Sequence, residues 1–321
     1  MQAPTLRDVY RAKKTIGPHI PRTPLHFSAG LSDLLEAEVY LKHEEYLPLG
    51  AFKGRGGINL LANLSDEEKE RGLITASSGN HGQSMASACR SFGVKAIIGL
   101  PEDANPNKVA AMRALGAELV FHGADFDAAL LHCETLAREE GYRFVHPVND
   151  PLLIAGVGTQ ALETLEDLPD VQVLMVPLGG GSGVSGACIV AKGIDPSIEV
   201  IAVQSEAAPA GYHSWKQGEI VEAEMNTIAE GVATRSGYVL PQEIMKDMLD
   251  DFLLVSDADI QRAIGTLVDK AHTLAEGAGA TALAGAIKYP EKVKGKKVAI
   301  TVSGGNITTD QLRKSLEVYQ S

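Results

Sequence analysis

Cysteine is scarce: three residues in 321, Cys89, Cys133 and Cys188, odd in number, far apart and without a CxxC pair. That spacing argues against a disulfide framework or a cysteine-based zinc cluster and leaves each as a small buried apolar side chain. Nowhere do eighteen apolar residues run together, and the polar start Met1–Asp8 lacks the apolar core of a signal peptide. Basic charge is in deficit, with 29 lysines and arginines against 41 acidic residues and a net charge of −12, so the average field repels phosphate backbones and anionic lipid. The expectation is a cytoplasmic protein with no nucleic-acid or membrane role. Internal repeats, low-complexity tracts and polar linkers are also missing, so two domains, if present, must be interleaved. What remains is a chain with 45% apolar residues, long enough for one large or two ordinary domains.

Short β-rich runs stand at Glu38–Leu41, Leu73–Ala76, Ala96–Leu100, Glu118–Phe121, Phe144–His146, Val171–Val176, Glu199–Val203, Phe252–Val255 and Val298–Val302, with helix-length stretches between many of them. The runs are continuously apolar rather than alternating, which predicts parallel strands buried under helices and an α/β fold. One helix is legible in detail: Asn105 as N-cap, Pro106 at the first position, an apolar stripe of Val109, Met112 and Leu115, and Gly116 to end it.

Glycine is abundant, at 33 residues, and clusters just after predicted strands, where a parallel sheet binds its ligands. Ser77-Ser78-Gly79-Asn80-His81-Gly82-Gln83 enters a helix with amides suited to an anion or carboxylate. Gly179-Gly180-Gly181-Ser182-Gly183-Val184-Ser185-Gly186 has almost no side chains, so consecutive N–H groups can wrap a phosphate. Ser303-Gly304-Gly305-Asn306 presents one hydroxyl at a sheet edge. Any one of these alone is equally an ordinary strand-to-helix turn. Gly181–Gly186 also fits GxGxxG, with Glu206 a candidate ribose partner, so a nucleotide-binding reading stays open. Finally, Lys53 lies amid small and apolar residues, Pro48-Leu49-Gly50-Ala51-Phe52-Lys53-Gly54-Arg55-Gly56-Gly57. Desolvation there would lower its pKa and free a nucleophilic amine, although a snorkelling, solvated lysine fits the same residues.

Taken in order, Ala51-Phe52-Lys53-Gly54-Arg55-Gly56, Ser77-Ser78-Gly79-Asn80-His81-Gly82, Gly179–Gly183 and Ser303-Gly304-Gly305-Asn306 resemble the fold-type II pyridoxal-phosphate enzymes, and within them the serine/threonine dehydratase and serine racemase group. Weaker supports are His146-Pro147 followed by Ala155–Thr159, then Thr227–Val232 and Glu276–Gly279. The resemblance spans nearly the whole chain. It implies two parallel-sheet domains of the tryptophan synthase β-like kind, a large one from residues 1–50 and 148–321 and a small one from 51–147, with the cofactor between them. It also implies a homodimer.

By the same resemblance Lys53 carries the cofactor as a Schiff base and Ser77, Ser78, Gly79, Asn80 and His81 receive the substrate carboxylate. Gly179, Gly180, Gly181, Ser182 and Gly183 hold the phosphate, Phe52 packs on the ring, Asn80 meets the 3-hydroxyl and Ser303 meets the ring nitrogen. A hydroxyl such as that of Ser303 does not keep that nitrogen protonated as an aspartate would, so the ring withdraws electrons less strongly and β-elimination is favoured over transamination. The implied activity is dehydration and deamination of threonine, serine or a bulkier apolar β-hydroxy amino acid to a 2-oxo acid and ammonia, with Lys53 and Ser78 catalytic. Ser78 matches the residue that reprotonates the opposite face in serine racemase, so racemisation is the alternative within the family. A nucleotide-dependent oxidoreductase or binding module built on Gly181–Gly186 is the alternative outside it.

Three departures bear on the reading. Gly54 stands where many members carry a bulkier apolar residue. Gapless reading puts Gln204, Ala208 and Ala210 where cation-dependent members have acidic ligands, so no metal site is expected. The chain ends at Ser321, from which no C-terminal regulatory domain is expected. In the stretch Gly123–Leu130, where serine racemase brings an arginine to the substrate, Ala129 takes its place and no lysine or arginine occurs between Gly116 and Arg138. Either the cleft disfavours a second substrate carboxylate, or Phe126 and Ala129 simply face the core of their helix.

Overall fold

A computed structural model describes residues 2–321 apart from Ser78 and Asn105, and apart from the side chain of Asn107. The catalytic expectation for Ser78 and the N-cap expectation for Asn105 therefore lie outside the described residues.

Two sheets organise the chain. The larger runs in the order β1-β2-β10-β7-β8-β9, from β1 (Leu25–Phe27), β2 (Glu38–His43), β7 (Val173–Pro177), β8 (Glu199–Ser205), β9 (Asp251–Val255) and β10 (Lys297–Val302). The smaller runs β5-β4-β3-β6, from β3 (Leu73–Ala76), β4 (Ala96–Leu100), β5 (Glu118–Phe121) and β6 (Arg143–Phe144). Every pairing is parallel except β1 with β2. The continuously apolar runs thus are strands covered on both faces, as parallel pairing requires.

On the larger sheet one face packs against α2 (Ala29–Leu35), α12 (Asp257–Ala271), α13 (Gly277–Lys288) and α14 (Thr309–Gln320). The other carries α1 (Leu6–Ile16), α8 (Pro151–Asp167), α9 (Ser182–Ile194), α10 (Ala210–Gln217) and α11 (Val239–Met248). The smaller sheet is covered by α3 (Lys53–Ala62), α5 (Asn80–Phe92) and α6 (Pro106–Ala114) on one face and α7 (Phe126–Glu140) on the other, with α4 (Asp66–Arg71) leading into β3. The stripe expected on α6 holds for Val109 and Met112, both buried; the helix ends at Ala114, so Leu115 lies past it, and Gly116 turns with φ +88°. The strand expected at Phe144–His146 is Arg143–Phe144 instead. His146 leaves the ladder because its Nδ1 accepts the N–H groups of Val148 and Asn149 at 3.1 and 3.0 Å, folding the chain into a turn before α8.

The joint between the sheets is made of small residues. A Cβ on Gly156 of α8 would lie 2.6 Å from the Arg55 carbonyl oxygen and 2.8 Å from Gly56 Cα, so α3 and α8 meet backbone to backbone. Helix α3, which begins at Lys53, is thereby fixed against the larger sheet while its apolar residues Ile58, Leu60 and Leu61 complete the core of the smaller one.

Candidate active site

Lys53 opens α3 directly beneath the Ser303 loop. The Phe52 N–H donates to the Ser303 carbonyl at 3.0 Å, Ala51 bridges to Gly304, and the Ser84 hydroxyl of α5 donates to the Lys53 carbonyl at 2.7 Å. The side chain keeps some surface toward the cleft between the sheets, but the protein around it desolvates the ammonium and holds its pKa down to about 8. Its Nζ donates to Ser182 Oγ at 3.0 Å, and among the described residues no carboxylate pairs with it. At neutral pH roughly a tenth of the amine is then uncharged, far more than for a solvated lysine, and that fraction is the nucleophile.

Ser182 belongs to the glycine turn that follows β7. A Cβ on Gly179 would reach 2.2 Å from the Gly231 carbonyl oxygen and one on Gly180 2.3 Å from Val148 Cγ2, while Gly181 adopts φ +98° as the N-cap of α9. The turn can be made only of glycine, and it leaves the first N–H groups of α9 without helical partners. A Cβ on Gly183 would sit 3.3 Å from Phe52 Cε2, which places the Phe52 ring beside this turn. An amine, a bare helix N-terminus for a phosphate and a flat ring wall therefore converge, and this set fits pyridoxal phosphate.

The third wall comes from the smaller sheet. Asn80 begins α5; its Nδ2 donates to Glu276 Oε1 at 2.8 Å and its Oδ1 accepts from Asn306 Nδ2 at 2.9 Å, so the loops after β3 and β10 and the start of α13 are tied together at one residue. Burial pushes the Glu276 carboxyl up, against the Asn80 hydrogen bond and the charge of Lys108. Ser77 Oγ accepts the Gly79 N–H at 3.2 Å, shaping the loop. His81 is buried, and burial together with the charge of Lys53 lowers its pKa to about 3, so it is neutral. Because Thr75 spends its hydroxyl proton on the Val145 carbonyl at 2.8 Å, its oxygen must accept from His81 Nε2 at 3.2 Å, which leaves His81 Nδ1 as an acceptor.

Residues 16–304 match the family described as pyridoxal-phosphate dependent enzyme. The chain belongs to that family. It is 41% identical over 309 residues to the L-threonine ammonia-lyase of Thermotoga maritima, covering 96% of this chain and 77% of that protein. It is 37% identical to a catabolic L-threonine dehydratase of Staphylococcus aureus, over 98% of this chain and 92% of that one. Among solved structures it is similar to threonine deaminase isoform 2 of Solanum lycopersicum (TM-score 0.91, 31% identity, 98% and 94% coverage) and to maize serine racemase (TM-score 0.92, 30% identity, 99% and 98%). Membership makes this a pyridoxal-phosphate enzyme, and the nucleotide reading of Gly181–Gly186 falls. The third glycine of that motif serves packing, since a Cβ on Gly186 would lie 2.6 Å from Gly158 Cα of α8, and Glu206 faces Lys288 at 3.5 Å.

Lys53, Phe52, Asn80, Gly179–Gly183 and Ser303, named from the sequence, surround one cleft. Of the two readings of Gly123–Leu130, the structure supports the core-facing one and not the substrate-facing one. Ala129 is buried, and Phe126 and Leu130 pack on the cluster of Ile74, Ala76, Ile97 and Cys133, so this stretch faces the core of α7. Cations reach the cleft rim from elsewhere: Lys108 of α6 pairs with Glu230, and Arg235 pairs with Asp125 at 3.3 Å and Asp127 at 3.4 Å. Glu276 and Asn306 stood in the quoted motifs without a role. Only their contacts with Asn80, across 196 residues for Glu276 and 226 for Asn306, give them one.

Proposed function

We propose that this protein is a pyridoxal-phosphate dependent ammonia-lyase that dehydrates threonine or serine, or a bulkier apolar β-hydroxy amino acid, to a 2-oxo acid and ammonia. The observation that carries the proposal is the desolvated Lys53 amine, held by Ser182 Oγ at the mouth of the glycine turn. The threonine ammonia-lyase and dehydratase similarities support the substrate class.

When bound, pyridoxal phosphate supplies a carbonyl that condenses with amines and a ring that draws electrons from the substrate α-carbon. Gly179, Gly180, Gly181, Ser182 and Gly183 would hold its phosphate through N–H groups, Phe52 would flank the ring, Asn80 would meet the 3-hydroxyl and Ser303 the ring nitrogen. Asn80 can do so because Glu276 and Asn306 fix its amide plane. Ser77, Ser78, Gly79, Asn80 and His81 would receive the substrate carboxylate, His81 through its backbone N–H because its Nδ1 is an acceptor. Lys53 Nζ, near enough to neutral to act as a base, would take the substrate α-proton, and the resulting ammonium would give it to the departing β-hydroxyl, which leaves as water. The released enamine takes up the water and yields the 2-oxo acid and ammonia. The larger domain comprises residues 1–50 and 148–321 and the smaller 51–147; the enzyme works in the cytoplasm as a homodimer and needs no metal.

Borohydride reduction followed by peptide mapping should place the cofactor on Lys53, and Lys53→Ala should lose both the adduct and the release of 2-oxo acid from threonine. An adduct on another lysine would overturn the assignment. The same assay read by chiral chromatography measures serine racemisation, the second activity that the similarity to serine racemases supports.

A further inference from the structure

The Lys108–Glu230 pair crosses the cleft. Lys108 rises from α6, over the smaller sheet, whereas Glu230 opens the 3-10 turn Glu230–Val232 on the larger side. That turn is part of the cleft wall. The Gly231 carbonyl oxygen abuts Gly179 so closely that a Cβ there would come within 2.2 Å of it, and a Cβ on Gly231 would lie 2.7 Å from Ala278 Cβ and 3.9 Å from Glu276 Oε1. Ala229 and Val232 on either side are buried, so the turn is anchored. Lys108 is also close enough for the charge of Glu276, which touches Asn80, to act on it.

The two partners differ in exposure: the Lys108 side chain is 28% exposed and that of Glu230 is 58% exposed. The cation is the partly desolvated member and the carboxylate the one nearer water. Resting on the reading of this cleft as an amino-acid site, we infer that the Lys108–Glu230 pair sets substrate charge: Lys108 is the anchor for an anionic group on the substrate β-carbon, and Glu230 occupies it so that uncharged β-hydroxy amino acids are favoured. With Glu230 in place, a substrate carboxylate only exchanges one carboxylate for another at Lys108 and gains little. Without it, the same carboxylate gains a charge-assisted contact with a cation whose other carboxylate neighbour, Glu276, is engaged by Asn80. Exclusion by an occupied cation, rather than by the lack of one, is what the geometry gives.

The test uses the holoenzyme and the variants Glu230→Gln and Glu230→Ala, both at an exposed side chain, with two probes of equal carbon number, succinate and butyrate, followed by isothermal titration. Succinate should bind roughly ten- to a hundredfold more tightly to both variants than to the unsubstituted enzyme, with butyrate unchanged, as a hydrogen-bonded ion pair predicts. The ratio of kcat/KM for 3-hydroxyaspartate over threonine should rise by a similar factor, mainly through KM. Adding Lys108→Gln to Glu230→Gln should abolish both gains. Unchanged succinate affinity in both single variants, or a gain that survives Lys108→Gln, overturns the inference. Because the titration reads Lys108 without turnover, failure to process any β-hydroxy amino acid would sink the proposed reaction alone, whereas threonine turnover with no succinate effect would sink the charge gate alone.

Discussion

Lys42 and Lys53 are both withdrawn from water, and their surroundings separate their roles. Lys42 Nζ meets Glu163 at 2.7 Å and the Thr23 carbonyl at 2.8 Å, so its charge is compensated. Among the described residues Lys53 Nζ hydrogen-bonds only the Ser182 hydroxyl, and burial lowers its pKa to about 8. Since the neutral amine is the form that attacks a carbonyl, the rate at which apoprotein takes up pyridoxal phosphate should rise about tenfold per pH unit below about 8 and level off above it. Stopped-flow absorbance measures this; a rate still climbing at pH 10 would mean that Lys53 is solvated. A second residue-scale expectation concerns Gln204, which is buried, accepts the Tyr212 N–H at 3.0 Å through Oε1 and reaches Thr234 Oγ1 at 3.4 Å through Nε2. A neutral amide thus ties the end of β8 to α10, at a position flanked by buried Ala208 and Ala210 that offer a hard cation no carboxylate. Activity should survive exhaustive chelation, and a large loss restored by magnesium or calcium would refute this. Lys53 and the glycine turns were legible because each is a contiguous string whose composition has one physical use. Glu276, Asn306, Lys108 and Glu230 were not, because their meaning lies in partners more than a hundred residues away.

At the scale of elements, α3 is the piece on which the site depends, and it is held by charge as well as by glycine contact. Arg55 is fully buried; it donates to Glu44 at 2.7 and 2.9 Å, to Glu163 at 2.8 Å from each of two nitrogens, to Thr159 at 3.0 Å and to Thr23 at 3.1 Å. With Lys42 the cluster balances two cations against two carboxylates and joins β2, α3 and α8. Arg55→Met would leave two buried carboxylates facing one ammonium, a loss of about 3–5 kcal/mol. Urea denaturation should show that loss, and a change under 1 kcal/mol would mean that water reaches the cluster. From the sequence Arg55 was only the residue two places beyond Lys53; its burial cannot be read from neighbours that are themselves glycine. Strand prediction fared unevenly for a related reason. The bounds of β3 and β4 were legible because both are buried throughout and apolar but for Thr75, whereas β1, three residues long and half-exposed at the sheet edge, has no hydrophobic run to betray it.

Across the whole molecule, the groups assigned to the cofactor are split between the two sheets. Asn80 belongs to the smaller side and Gly179–Gly183 and Ser303 to the larger, with Lys53 at the joint. Among the described residues the polar contacts between the two sides over the cleft are chiefly Asn80 with Glu276 and Asn306, Lys108 with Glu230, and Arg235 with Asp125 and Asp127. Exposed ion pairs of the last kind contribute little and weaken with salt. A ligand bound to both sides should therefore act as a clamp, stabilising the folded state by about 2.7 kcal/mol at a hundred times its Kd. Removing the cofactor should lower Tm by several degrees, and added pyridoxal phosphate should restore it in proportion to the logarithm of its concentration. Hydrogen exchange should show the lost protection concentrated at the start of α5, the turn at Glu230–Val232 and the start of α9, with β7 and β8 unchanged. Pyridoxal without its phosphate should restore much less, because the N-terminus of α9 would then have no anion to neutralise. Equal melting of apo- and holoprotein, or loss of protection confined to one sheet, would show that the cofactor is held from one side only and that the cleft closes without it.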